Sequence, residues 1–260
     1  MSRFTAVVFD WAGTTVDFGS FAPMGVFVKA FAEFGLTVTI DEARAPMGVA
    51  KWDHIRVMMD MPSIARQWQD AHGRAPTDAD VDEVYKVFVP MNEKVAAEYA
   101  DLVPGCAEAI AALRKMGLKI GSTTGYTRSI MENVLPVAAA QGYVPDNLVC
   151  SDDLPEGRPG PLGMYQCMID LAAYPPDSIL KVDDTAPGIA EGVSAGCVTV
   201  GVALSGNAVG KTPQELVALS ETEIATLRAH ATKILVDAGA DHVIDTVADL
   251  PELVRRLDTT

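Results

Sequence analysis

The chain is predicted to be an α/β protein: a doubly wound, Rossmann-like parallel sheet with a helical cap inserted after its first strand. Three observations predict it. Short runs rich in apolar and β-branched residues recur at 5–9, 118–123, 147–150, 179–182 and 197–202, as buried parallel strands do. Amphipathic segments alternate with them at 106–116, 128–141, 161–172, 187–195 and 250–257, and strand–helix repetition favours a parallel sheet. Residues 21–99 break that rhythm with helical patterning and no convincing strand.

In chain order, Thr5-Ala6-Val7-Val8-Phe9 delivers Asp10 at its end, and Gly13-Thr14-Thr15 turns the chain at once. Open α/β sheets place their sites at such strand ends. Helices are then predicted at 23–34, 51–59, 64–71 and 79–99, with Pro62 and Pro76 as punctuation. Thr77, followed by Asp78 and Asp80, reads as an N-cap with acids in the first turn. The insertion leaves near 16–22 and returns near 101–105, so 1–20 and 100–260 form the core and 21–99 the cap. Two linkers make a hinge possible. The second core strand ends in Ser122-Thr123-Thr124-Gly125, and a later loop carries Arg158. The run at 179–182 ends in Asp183-Asp184. Residues 212–238 are helical in pattern and cover one face, and 242–244 is a weaker strand.

Composition narrows the class. The 260 residues allow one large domain or a core with an insertion. A hydrophobic content of 49% with 21% charge is ordinary for a soluble globular protein. The net charge of −15 disfavours non-specific nucleic-acid binding and anionic membranes. No apolar stretch approaches the ~18 residues of a membrane span, and no signal peptide precedes the first strand. Cys106, Cys150, Cys167 and Cys197 are widely spaced, without a CxxC pair. Free thiols in a reducing cytoplasm are the expectation.

Taken alone, an Asp closing a strand is a turn or cap residue, and a lone Arg belongs to the surface. Here Asp10, the Thr124-Gly125 turn, Arg158 and Asp183-Asp184 follow one another at predicted strand ends. In order and spacing they resemble the four motifs of the haloacid dehalogenase superfamily. The resemblance implies Asp10 as a nucleophile toward phosphorus. It implies Mg²⁺ held by Asp10, Asp184 and the main-chain carbonyl of Ala12, which relieves repulsion between anions. The Thr124 hydroxyl, the Gly125 amide and Arg158 would hold phosphoryl oxygens. Two positions depart from the common pattern. Ala12 stands where most members carry a second Asp, and Gly188 stands where a further acid often sits, with Asp183 as a partial substitute.

Met47-Gly48-Val49-Ala50-Lys51-Trp52-Asp53-His54 is the second informative stretch. Lys51 opens a predicted helix, and His54 shares its face. A helix N-terminus with apolar Met47 nearby would lower the Lys51 pKa. A neutral amine can form a Schiff base with an aldehyde; a plain surface lysine is the alternative. Phe9–Gly19, Met47–Ile55, Gly121–Thr127 and Gly157–Pro161 (FDWAGTTVDFG, MGVAKWDHI, GSTTGYT and GRPGP) together resemble the phosphonoacetaldehyde hydrolase (phosphonatase) family. The likeness spans nearly the whole chain and includes both Ala12 and Lys51.

That family is a Mg²⁺-dependent homodimer with a helical cap. It makes acetaldehyde and phosphate from phosphonoacetaldehyde, with Lys51 in the Schiff-base position. By the same resemblance, His54 and Tyr126 take part in positioning or proton transfer, and Met47 and Gly48 shape the site around the lysine. Two other readings stay open on the residues themselves. One is a sugar-phosphate phosphatase of the same superfamily; the other is an inactive binding protein that kept the fold.

Overall fold

The computed structural model describes residues 2–259. Five parallel strands form one sheet: β1 (Ala6–Phe9), β2 (Lys119–Ser122), β3 (Ile179–Asp183), β4 (Val198–Val202) and β5 (His242–Ile244). Their order is β2-β1-β3-β4-β5. Ala6 stands opposite Lys119 on one side and Ile179 on the other. The chain therefore leaves β1 in both directions, and the crevice of a doubly wound sheet opens at its C-terminal end.

Five helices lie between β1 and the return to the core: α1 (Ala22–Ala32), α2 (Ile40–Arg44), α3 (Lys51–Asp60), α4 (Pro62–His72) and α5 (Asp78–Ala96). The core helices are α6 (Cys106–Lys115), α7 (Arg128–Ala140), α8 (Leu162–Leu171), α9 (Ala186–Ala195), α10 (Pro213–Val217), α11 (Glu221–Asp237) and α12 (Leu250–Asp258). Alternation along β1 divides the core. Val7 and Phe9 pack with Ile110, Ile130 and Val254 on one face. Ala6 and Val8 pack with Met164, Cys167 and Leu171 on the other. All four cysteines are buried and free.

The inserted helices carry a hydrophobic cluster of their own. Phe27 of α1 sits at its centre. Its ring stacks on His54 at 4.0 Å and on Phe88 at 4.3 Å, and burying such a ring is worth about 2–3 kcal/mol. The two linkers run side by side. Asp17 N–H donates to Asp101 O at 3.1 Å, and Val103 N–H donates to Thr15 O at 2.9 Å.

Three details differ from the sequence expectation. Residues 147–150 make only an isolated bridge, Thr123 with Val149. Side chains explain it: Asp146 Oδ2 accepts from Ile120 N–H at 2.8 Å and Asn147 Oδ1 from Ser122 N–H at 3.3 Å. These take β2 donors that a ladder would use. The segment 212–238 is two helices, because Ser220 and Glu223 form a capping box that starts α11 afresh. The short α2 was not anticipated; Thr39 and Glu42 cap it reciprocally. Among the described residues, no helix is long and apolar enough to cross a membrane.

Candidate active site

Asp10 follows β1 directly. Its N–H donates to Val182 O at 3.0 Å, and its carbonyl accepts from Thr15 Oγ1 at 3.0 Å. The turn is thus pinned to β3, and the carboxylate faces the crevice. Asp10, Ala12, Met47, Gly48, Lys51, Thr124, Gly125, Tyr126 and Arg158 line one cavity together with Thr185. The inserted helices form one wall and the strand ends the other. Gly48 is what allows the close approach. Its φ is +105°, and a Cβ there would lie 2.3 Å from Thr185 Oγ1.

Arg158 joins the strand ends. Its Nη1 lies 2.8 Å from Asp10 Oδ1 and 3.3 Å from Asp183 Oδ2. Burial works against that charge, but Asp183, Glu191 and Asp10 outweigh it and hold the Arg158 pKa above its usual value. Asp10 is nevertheless pushed up to about 6, by burial and by the charge of Asp183, which exceed the help from Arg158. Asp184 is held well above the usual carboxylate range by burial, Asp10 and Asp183. Asp183 behaves oppositely. Burial raises it, but Arg158, Lys181 and the two hydrogen bonds from Thr185 keep it below the usual value.

Oxygens of Asp10, Asp183 and Asp184 lie within 4.8 Å of one another. Four buried carboxylates crowd this region, Asp10, Asp183, Asp184 and Glu191, against the two cations Arg158 and Lys181. Lys51 aside, the two negative charges in excess and the all-oxygen donor set fit a hard divalent cation. Asp10 and Asp183 each have a cation beside them, Arg158 at 2.8 Å and Lys181 at 3.1 Å, whereas Asp184 is held by hydrogen bonds alone. Thr14 Oγ1 and Asn207 N–H orient Asp184 at 3.0 Å and 2.7 Å. Asn207 Oδ1 also accepts from Arg44 of α2 at 3.0 Å, which ties the helical wall to the carboxylate.

Gly188 has a steric reason. A Cβ at 188 would lie 1.9 Å from Asp183 Oδ2. The Asp183 carboxylate fills the space in which a side chain at 188 would begin.

Lys51 is the first residue of α3 and is 3% exposed. Nζ approaches Met47 Sδ at 3.8 Å and the Tyr126 ring at 5.1 Å. Burial pulls its pKa down to about 8, with Arg158 assisting and Asp10 opposing. The direction matches the sequence reading, but the leading cause is loss of water.

His54 stands behind the cavity wall rather than on it. Its Nε2–H donates to Ala43 O at 2.8 Å, and Nδ1 is buried without a hydrogen-bond partner. Burial first, then the Lys51 charge, holds it well below the usual histidine pKa. The ring is therefore neutral. Thr124 Oγ1 accepts from Tyr126 N–H at 3.1 Å, and the buried Tyr126 hydroxyl has no partner.

Thr123, Lys181, Glu191 and Asn207 escaped sequence reasoning. For Lys181 a signal existed: a lysine inside Ile179-Leu180-Lys181-Val182 is a charge in a buried strand. Glu191 and Asn207 had none, because their partners are distant in sequence.

The profile of the haloacid dehalogenase-like hydrolase family matches residues 4–196. The phosphonoacetaldehyde hydrolase of Paraburkholderia phytofirmans is 51% identical over 254 residues, covering 98% of this chain and 95% of that one. The phosphonoacetaldehyde hydrolase of Klebsiella pneumoniae is 49% identical over 256 residues, covering 98% and 95%. Among solved structures, a phosphonoacetaldehyde hydrolase-like protein from Oleispira antarctica superposes with a TM-score of 0.97. It shares 40% identity over 99% of this chain and 93% of that one.

Proposed function

The chain belongs to the phosphonoacetaldehyde hydrolases of the haloacid dehalogenase-like hydrolase family, and from that premise we propose that it hydrolyses phosphonoacetaldehyde to acetaldehyde and phosphate. One observation carries the reading: a buried lysine of lowered pKa and a strand-end aspartate line the same cavity, with alanine at position 12.

A C–P bond lacks an oxygen leaving group, and a bare carbanion leaves poorly. Lys51 condenses with the aldehyde, losing water, and the protonated imine becomes an electron sink. Asp10 attacks phosphorus. The C–P electron pair moves into the iminium, giving an enamine on Lys51 and an acyl phosphate on Asp10. One water hydrolyses the aspartyl phosphate and releases phosphate. The enamine takes a proton on carbon, and a second water frees acetaldehyde from Lys51. One water is consumed overall. No alkoxide departs, so no acid is required at position 12, and the small Ala12 leaves room for the lysine.

Thr124, Gly125 and Arg158 orient the phosphoryl oxygens. Met47 and the Tyr126 ring keep water from Lys51, and neutral His54 supports the same wall. Asp10, Asp184 and the Ala12 carbonyl would hold Mg²⁺, which supplies neutralising charge next to the phosphoryl group. Residues 21–99 act as the cap over core residues 1–20 and 100–260. A homodimer and cytoplasmic residence belong to the same family reading.

The deciding experiment measures phosphate and acetaldehyde together, with and without Mg²⁺. Equal release of both, lost on chelation, is expected. Hydrolysis of sugar phosphates with no acetaldehyde from phosphonoacetaldehyde would favour the phosphatase reading. Binding of phosphonoacetaldehyde without release of either product would favour the inactive binding protein.

The pH dependence is also defined. Only the neutral amine attacks the aldehyde, and an ordinary lysine becomes neutral near a pKa of about 10.4. Borohydride trapping of Lys51 with acetaldehyde is expected to rise with pH to a midpoint near 8. Adding Mg²⁺ should move the midpoint down, since a nearby positive charge disfavours the ammonium. A midpoint near that of free lysine would contradict the buried amine.

A further inference from the structure

Beneath the cavity lies a buried cluster that the reaction as written does not use. Glu191 on α9 is 2% exposed and Lys181 in the middle of β3 is 0% exposed. Glu191 Oε2 accepts from Lys181 Nζ at 2.9 Å, from Arg158 Nε at 3.0 Å and from Thr123 Oγ1 at 2.9 Å. Lys181 Nζ also donates to Thr123 Oγ1 at 2.7 Å. Arg158 Nη2 donates to Thr123 O at 2.9 Å and to Thr123 Oγ1 at 2.8 Å. Nη1 alone points the other way, toward Asp10 at 2.8 Å, with Asp183 Oδ2 at 3.3 Å and Gly48 O at 3.4 Å.

The guanidinium is a planar, rigid fork. Fixing Nε and Nη2 therefore fixes where Nη1 points. Two glycines pack directly against these side chains. A Cβ at Gly163 would lie 2.4 Å from Glu191 Oε1, and one at Gly192 would lie 2.7 Å from Lys181 Cβ. Gly163 of α8 thus leaves space for the Glu191 carboxylate, and Gly192 of α9 lets its helix lie close against the Lys181 stem; both charges are costly to bury unless paired.

We infer that Glu191 and Lys181 are positioning residues for Arg158: they hold its inner edge so that Nη1 alone is presented beside Asp10, where a phosphoryl or phosphate anion is received. Glu191 takes Nε. Lys181 supplies the second cation on Glu191, so the carboxylate does not draw the guanidinium inward. Thr123 is the shared hub. The identity of the anion rests on the proposed function, whereas the fixed orientation of Arg158 is a property of the fold.

The test uses the whole protein labelled with ¹⁵N-arginine, the Arg158 Nε–H signal being assigned by its loss in Arg158→Lys. A resolved, slowly exchanging cross-peak is expected for the wild type, broadened or lost in Glu191→Gln. With Mg²⁺ present, inhibition by inorganic phosphate should weaken about tenfold in that variant, as for loss of a charge-assisted hydrogen bond. KM should rise more than kcat falls. Should Glu191→Gln fail to fold, Thr123→Val removes the hub hydroxyl and leaves every charge in place; a smaller change in the same direction is expected. An unchanged cross-peak, or unchanged phosphate inhibition, in a folded variant overturns the inference. A wild type that releases no phosphate from phosphonoacetaldehyde overturns the proposed reaction instead, and the cross-peak still decides the orientation of Arg158.

Discussion

Replacing Lys51 with arginine is expected to stop phosphate release from phosphonoacetaldehyde, with a loss on the order of 10⁴-fold or more, as for removal of a covalent catalyst. The substitution keeps a positive charge beside the Tyr126 ring, which lies 5.1 Å from Nζ. It removes the nucleophile, because a guanidinium stays protonated and does not condense with an aldehyde. Charge and imine formation are therefore separated by one substitution. Product release is the measurement, with borohydride trapping as control: no adduct should form in the variant. Turnover within tenfold of wild type would mean that the C–P bond breaks without an imine.

Asp10→Asn should be equally damaging to turnover, on the order of 10⁴-fold or more, yet it should leave Lys51 able to trap aldehyde. In the proposed reaction imine formation precedes phosphorus attack, so the two substitutions are expected to stop it at different points. Loss of trapping together with turnover would indicate that Asp10 serves the lysine rather than phosphorus. The stability consequence has the opposite sign. Asp10 has its pKa raised to about 6 in the fold, so the folded state prefers the protonated form. Between about 4 and 6 the ionised carboxylate therefore becomes an increasing cost to the fold as pH rises. Without divalent cation, Asp10→Asn is expected to hold or raise Tm at neutral pH. Thermal melts with and without Mg²⁺ check this, and the cation should stabilise the wild type more than the variant. On the proposed function, such a site would trade stability for activity, with like charges held together where a divalent cation and a phosphoryl group are received.

Much of this was legible in the sequence. A carboxylate at the end of an apolar run, a Thr-Gly turn after another and an Asp pair after a third mark the mouth of a parallel sheet. Strand ends are set by local apolar patterning, so Asp10, Thr124 and Asp184 could be found without coordinates. Lys51 was singled out by the family resemblance, since a helix start after a Met-Gly turn by itself left a plain surface lysine open. The strand expected at 147–150 shows the limit of patterning. Apolar residues made the segment sheet-like, but side chains of Asp146 and Asn147 occupy the β2 donors. His54 shows another limit. Its spacing from Lys51 puts both on one helix face, yet Phe27 and Ala43 O hold the ring inside the helical layer.

By itself the sequence determined the parallel α/β core, the inserted helices and the carboxylates and hydroxyls that stand at the strand ends. These follow from short-range periodicity and from residues that must sit where a strand stops. Only the tertiary structure decided which charges meet. Arg158 finds Glu191, Thr123 and Asp10 from three separate parts of the chain, and Gly188 proves to be the space that Asp183 fills. Burial then sets the protonation of Lys51 and Asp10. Desolvation and charge pairing depend on distance in space, so local patterning does not reveal them.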